Sequence, residues 1–315
     1  MSKKRDIWHI RRISYLVGIL FAVITALELP QAAAQQPIPG NYAPGAATGM
    51  KGSIMAPPNT FIFENATMHF YTRDFVDSSG NKTSIPTSNA LANRTILGYV
   101  FDTDILGADF FPAVIIPLAN QYVRPTPDSE KDFQFGDIIL QPVALGWHLD
   151  EWHPTIAYNL WLPTGRFNEG ENNNTGKGLV SHLIQVGVTW LQTTELPWSW
   201  TVIGRYELFG TQEDTDIRPG QVLTIDGGAG KEVIKGFDLG VTGYFTTQTT
   251  RESGSAPGTD TSRYRTFGVG PEINWRPSFM PEGSNIGFRS YWEFESQNLA
   301  QGVFSILSIA VPIAF

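Results

Sequence analysis

The sequence predicts an all-β chain that closes as a transmembrane antiparallel β-barrel of about twelve strands, preceded by an irregular N-terminal arm. Three observations predict it. The last segment, "VFSILSIAVPIAF", places Leu307, Ile309, Val311, Ile313 and Phe315 on one face and Ser308, Ala310, Pro312 and Ala314 on the other, which is the period of two of a β-strand. The connections between predicted strands alternate between long polar loops and short turns. Six tryptophans, Trp147, Trp152, Trp190, Trp198, Trp200 and Trp275, flank the short connections. Trp is favoured where a membrane meets water, and long loops at one end with tight turns at the other are the habit of outer-membrane barrels.

The N-terminus sets the compartment. "MSKKRDIWHIRRIS" is basic, "YLVGILFAVITAL" is apolar, and Ala32-x-Ala34 precedes Gln35. A basic region, a short apolar core and an Ala-x-Ala site together read as a secretory signal, so residues 1–34 are expected to be cleaved. Their removal takes away five basic and two acidic residues and leaves 17 basic against 28 acidic, a net charge of −11. Nucleic acid, which needs a basic face, is excluded as a partner. The absence of Cys excludes disulfides, thiolate metal sites and thiol catalysis. An exported chain without a further long apolar helix is either soluble or spans a membrane with strands.

Residues 35–58, "QQPIPGNYAPGAATGMKGSIMAPP", lack any period and form the arm, expected inside the barrel or across its periplasmic mouth. The barrel occupies 59–315. Its strands are expected at 59–74, 92–104, 108–119, 135–147, 154–163, 180–191, 198–209, 221–228, 236–248, 263–276, 286–296 and 301–315. The first connection, "FVDSSGNKTSIPTSNA", reads as a long loop, and "QNLA" breaks the alternation by being short.

Faces follow from the period. Trp200, Val202, Tyr206 and Leu208 oppose Arg205 and Glu207; Phe237, Leu239, Val241 and Phe245 oppose Tyr244 and Gln248; Phe288, Trp292 and Phe294 oppose Arg289, Glu293 and Glu295. With Glu272, these polar residues are the expected lumen lining. A soluble sandwich would show the same alternation; the secretory signal, loop sorting and Trp placement decide for lipid outside and water inside. Lipid then solvates the final apolar strand and pairing with the first strand removes its edge. Val311, Ile313 and Phe315 are the expected signal for the barrel assembly machinery.

Several blocks carry a family resemblance: "NYAPGAATGM…APPNTFIF" (41–63), "FGDIILQPVALGWH" (135–148), "YNLWLPTGRFN" (158–168), "TDIRPGQVLTIDGGAG" (215–230), "LGVTGYFTTQTTRESG" (239–254), "GVGPEINW" (268–275) and "NLAQGVFSIL" (298–307). From about Gly40 to Phe315 the chain resembles the MetA-pathway of phenol degradation family of outer-membrane proteins. The resemblance implies an outer-membrane channel of a Gram-negative bacterium linked to aromatic or hydrocarbon catabolism, and no catalytic residue.

Chemistry beyond transport finds little support. Glu293 and Glu295 with Glu272 could suggest a glycosidase carboxylate pair, but on the same face of one strand Glu293 and Glu295 simply line a wet lumen. His148, His153 and His182 lack the tight spacing of a metal site, and no cofactor or metal is expected. Asp226-Gly-Gly-Ala-Gly230 has no helix after it, so it is not a phosphate loop. The expected partners are outer-membrane lipid and lipopolysaccharide, the assembly machinery, and small hydrophobic or aromatic solutes. Trp161, Phe167 and Phe209 are the candidate capture residues near the extracellular end. The competing reading is a barrel that transports nothing, serving as structural anchor or outer-membrane enzyme.

Overall fold

The computed structural model describes residues 37–123, 133–169, 171, 174–254 and 262–314. The expected signal peptide, Gln35 and Phe315 lie outside the described residues. Twelve antiparallel strands close into one barrel: β1 (Thr60–Val76), β2 (Lys82–Ile105), β3 (Ala108–Phe110 and Ala113–Val123), β4 (Gln134–Phe135 and Ile139–Gly146), β5 (Trp152–Trp161), β6 (Ser181–Leu191), β7 (Trp198–Phe209), β8 (Val222–Ile234), β9 (Phe237–Gln248), β10 (Arg265–Trp275), β11 (Asn285–Gln297) and β12 (Leu299–Ala314). β1 pairs with both β2 and β12, so no edge remains. Val311 stands opposite Phe63 and Ile313 opposite Phe61 at this closing seam.

The ends differ as the sequence predicts. Connections 106–107, 147–151, 192–197, 235–236 and 276–284 lie at one end, with the start of β1. The strand ends that flank 124–133, 162–180, 210–221 and 249–264 lie at the other. The first connection is a correction. The expected long loop is mostly strand, and only 77–81 turn. Asp77 makes this turn, since its carboxylate accepts the N–H groups of Ser79 and Asn81 and Gly80 takes φ +84°. The β11–β12 turn is equally tight, on Asn298 at φ +50°. β8 also runs past its expected end at 228, because "GAGKEV" pairs with β7 and β9 rather than turning.

Apolar side chains face outward on most strands: Val186, Val202, Val241, Trp292 and Leu307 are exposed, while Arg205, Asp226, Asp238 and Glu272 are buried inside. That inversion is stable only where lipid is the outer solvent. Trp152, Trp198, Trp200 and Trp275 are exposed at the end with short connections, and Trp152 meets Trp200 edge-on at 5.4 Å. The first hairpin departs from the rule. Ala66 and Met68 point inward, so Asn65, Thr67, Asn93 and Thr95 face out. Their side chains satisfy one another, Asn65 and Asn93 exchanging amide hydrogen bonds of 2.9 Å. Each polar group thus meets lipid already paired.

Candidate functional site

The barrel interior is occupied by the arm, which runs from the end with long connections to the end with short ones. At the outer end the Ile38 N–H donates to Glu252 Oε1 (2.5 Å), the Gly40 N–H to the Tyr264 hydroxyl (2.9 Å) and the Asn41 N–H to Glu207 Oε1 (2.8 Å). In the middle, Asp226 of β8 accepts the Tyr42 hydroxyl (2.9 Å), the Gly45 N–H (2.9 Å) and the Thr48 hydroxyl (3.1 Å). Arg205 pairs with the same carboxylate, donates to Thr48 Oγ1 at 2.8 Å and lies 4.3 Å over the Tyr42 ring. Across the lumen, Arg94 and Arg289 both donate to the Ala46 carbonyl, and Glu272 Oε2 accepts the Met50 N–H at 2.9 Å. At the inner end Lys51 pairs with Asp238 at 2.9 Å, and the Ser53 N–H donates to Thr189 Oγ1. Isolated turns, such as the Ala46 N–H on the Ala43 carbonyl and the Gly52 N–H on the Gly49 carbonyl, satisfy only part of the arm's backbone, and inward side chains supply further partners.

The glycines of β8 and β9 make the channel in which the arm lies. Gly230 stands opposite Gly240, and a Cβ at either would come within 1.8 or 2.2 Å of Met50 Sδ. Met50 is fully buried there. The Asp226–Gly230 cluster is therefore a socket for the arm, an identity that no local spacing rule reveals.

Two resemblance blocks meet at the outer mouth. Asp137, from "FGDIILQP", accepts the N–H of Gly165 (3.0 Å), from "LPTGRF", and the N–H of Lys177 (2.9 Å). This pins the 162–180 connection so that Lys177 Nζ donates to the carbonyls of Pro39 and Gly40. Burial pushes the Lys177 ammonium down to about 8, against the opposite pull of Glu207 and Asp137. The docked arm thus favours the neutral amine, and an undocked Lys177 near its ordinary value of about 10.4 binds more protons between those limits. Through Lys177, docking should tighten as pH rises from 8 toward 10. Single-channel openings should become rarer over that window in the wild type and lose the dependence in Lys177→Met; an unchanged dependence in the variant would assign it to another group.

Arg205, Glu207, Tyr244, Gln248, Glu272, Arg289 and Glu293 face the interior. The Tyr244 hydroxyl donates to Glu293 Oε1 at 2.8 Å, and Glu293 Oε2 accepts the Gly302 N–H. Glu295 is a correction: it is exposed, at φ +50°. Arg265 pairs with Gln297 but Phe267 with Phe294, so the extra residue on β11 forms a bulge that turns Glu295 out and Ser296 in. Trp161 and Phe209 stand on either side of Ser181 in one inward row near the outer mouth, both buried. Phe167 packs against Gly178 in the adjoining connection. Val311 and Ile313 lie on the outer face of β12.

Arg94 was not singled out in the sequence and Asp226 only as part of its glycine cluster, yet with the inward-facing Asp238 and Tyr291 they hold the arm. The Tyr291 hydroxyl donates to the Gly45 carbonyl at 3.2 Å and belongs to an inward apolar cluster with Ala46, Met68, Tyr244 and Phe304. His148 and His153 meet at 3.1 Å beside Asp109, while His182 bonds the Tyr158 hydroxyl on the outer face. Among the described residues no group of three or more His, Cys, Asp or Glu side chains is arranged to hold a metal ion.

Comparison with solved structures agrees with this architecture. An outer membrane channel from Pseudomonas putida F1 superposes with a TM-score of 0.70 at 14% identity, covering 86% of this chain and 100% of that one. The beta domain of the Bordetella autotransporter BrkA gives a TM-score of 0.49 at 6% identity, covering 81% and 100%. At 14% identity the likeness to the channel from Pseudomonas putida F1 is one of fold, that of an outer-membrane barrel. Among curated proteins no sequence matches significantly. The model of one sequence family, described as "Putative MetA-pathway of phenol degradation", matches residues 72–308, three quarters of the chain, and the chain belongs to that family.

Proposed function

We propose that this outer-membrane barrel is a passive channel for small aromatic or other hydrophobic compounds, linked to aromatic catabolism, whose lumen is constricted by its own arm. The observation that carries this reading is how the arm is held. From Ile38 to Ser53 it is fixed chiefly by hydrogen bonds and ion pairs to inward side chains, contacts that water can replace one by one. A plug meant to be permanent would bury a continuous apolar face instead. The family description, with its reference to phenol degradation, supports the solute class.

A channel also suits the carboxylates better than an enzyme does. Glu207, Asp226 and Glu272 each accept backbone N–H groups of the arm, so none is free to exchange a proton with a substrate. The test is solute flux into proteoliposomes carrying the full mature chain, across aromatic and hydrophilic solutes of matched size. Aromatic solutes should enter faster than in protein-free liposomes, and hydrophilic ones should not. Equal rates with and without protein for every solute would favour a sealed barrel acting as an anchor.

A further inference from the structure

Gln248 ends β9 at the outer mouth, and its side chain faces inward with 1% exposure. Its backbone N–H donates to the Tyr264 carbonyl, but neither Oε1 nor Nε2 of its amide has a hydrogen-bond partner. The neighbouring inward polar groups are satisfied: Glu207 and the Tyr264 hydroxyl take N–H groups of the arm, and the hydroxyls of Thr224 and Thr246 pair at 2.9 Å. Leaving a buried polar group unpaired is unfavourable, and Leu or Met would fill the same space without that penalty. Packing alone does not explain an amide here.

Its surroundings are otherwise apolar. Gln248 stands opposite Val222, which packs with Leu179, Phe209 and Tyr264. The backbone of Gly220 closes one side, since a Cβ there would stand 2.5 Å from Nε2. The arm's Gly40 covers this wall, close enough that a Cβ would lie 3.6 Å from both Val222 and the Tyr264 hydroxyl. Two aromatic rings, two aliphatic side chains and one unpaired amide therefore lie together under the outer end of the arm.

We infer that Gln248 is the specificity-determining residue of an outer-mouth subsite that takes hydroxylated aromatic compounds when the arm's outer end lifts. The inference rests on the channel reading and adds the solute's functional group to it. The ring packs on Leu179, Phe209, Val222 and Tyr264. A phenolic hydroxyl donates its proton to Oε1 and offers its lone pairs to Nε2, whereas a methyl group of the same size leaves the amide unpaired.

The test compares phenol, anisole and toluene, which share the ring and offer the amide a hydroxyl, an ether oxygen and a methyl group. Equilibrium binding to the folded full chain in micelles, corrected for partition into empty micelles, is measured beside flux into proteoliposomes. The wild type should prefer phenol to toluene by about tenfold, with anisole between, and Gln248→Leu or Gln248→Met should bind phenol and toluene equally. A phenol preference that persists in both variants overturns the inference. Should neither variant fold, the wild-type ranking decides, and indifference to the three solutes overturns it. Ranked binding without flux of any solute would discard the channel reading and keep the subsite. Flux of all three without ranking would discard the subsite alone.

Discussion

A chain lacking residues 35–58, with the expected signal 1–34 joined to Asn59, should insert as a folded barrel and conduct several-fold more than the full chain. The arm passes along the interior from Glu252 and Tyr264 at one mouth to Asp238 and Thr189 at the other. A backbone with bulky side chains at Tyr42 and Met50 therefore occupies the space that a solute would use. Its removal does not touch the strand ladders, and the seam between β1 and β12 starts at Thr60. The side chains that it leaves behind, Arg205, Asp226, Glu272 and Arg289, become hydrated instead of being stranded in a dry interior, so the barrel loses little stability. Planar-bilayer conductance gives the main readout, and a shift in gel mobility between unheated and boiled samples confirms folding. Conductance equal to that of the full chain, in samples that retain the shift, would reduce the arm to a tether.

Much of the fold was readable because lipid reverses the usual pattern without blurring it. Along β7 and β9 the outward face stays free of charge from end to end, since lipid must be met at every depth. Where the strands leave that constraint, the sequence becomes ambiguous. Residues 77–90 are mostly polar, so their hairpin looked like a loop; what forms it is the local turn at Asp77 and the ladder between β1 and β2. Glu295 followed a strict period of two until the bulge opposite Arg265–Phe267 shifted the phase by one, which no property of β11 alone reveals. The site was readable as a set of inward charges, but its organisation was not. Asp226 and Arg205 lie on neighbouring strands, Asp226 opposite Ile203, and the group that unites them is a tyrosine of the arm more than 160 residues earlier. A close approach between glycine backbones and Met50 likewise exists only after the barrel has closed.

The second large effect is expected at Asp226. Its carboxylate accepts the Tyr42 hydroxyl, the Gly45 N–H and the Thr48 hydroxyl, and it pairs with Arg205, whose side chain is 2% exposed. Asp226→Ala removes the counter-charge and strands the guanidinium, one of whose nitrogens, Nη2, already lacks a partner. Breaking a buried pair from one side costs about 3–5 kcal/mol. Two routes of relief exist: the whole barrel loses that stability, or the arm leaves and water reaches Arg205. The second is cheaper, because the arm loses three of its anchors with the same substitution while the strands lose only the Arg205–Asp226 pair and keep their ladder. Asp226→Ala should therefore behave as a conducting channel with nearly normal resistance to urea, and Asp226→Asn, which keeps an acceptor, should fall between it and the wild type. Introduced into the chain without the arm, Asp226→Ala should change conductance and urea midpoint far less, since Arg205 is hydrated there from the start. A substitution that lowers the urea midpoint equally with and without the arm would place the role of Asp226 in the barrel wall, and its bonds to Tyr42, Gly45 and Thr48 would then be a consequence of packing and not the clasp that keeps the lumen closed.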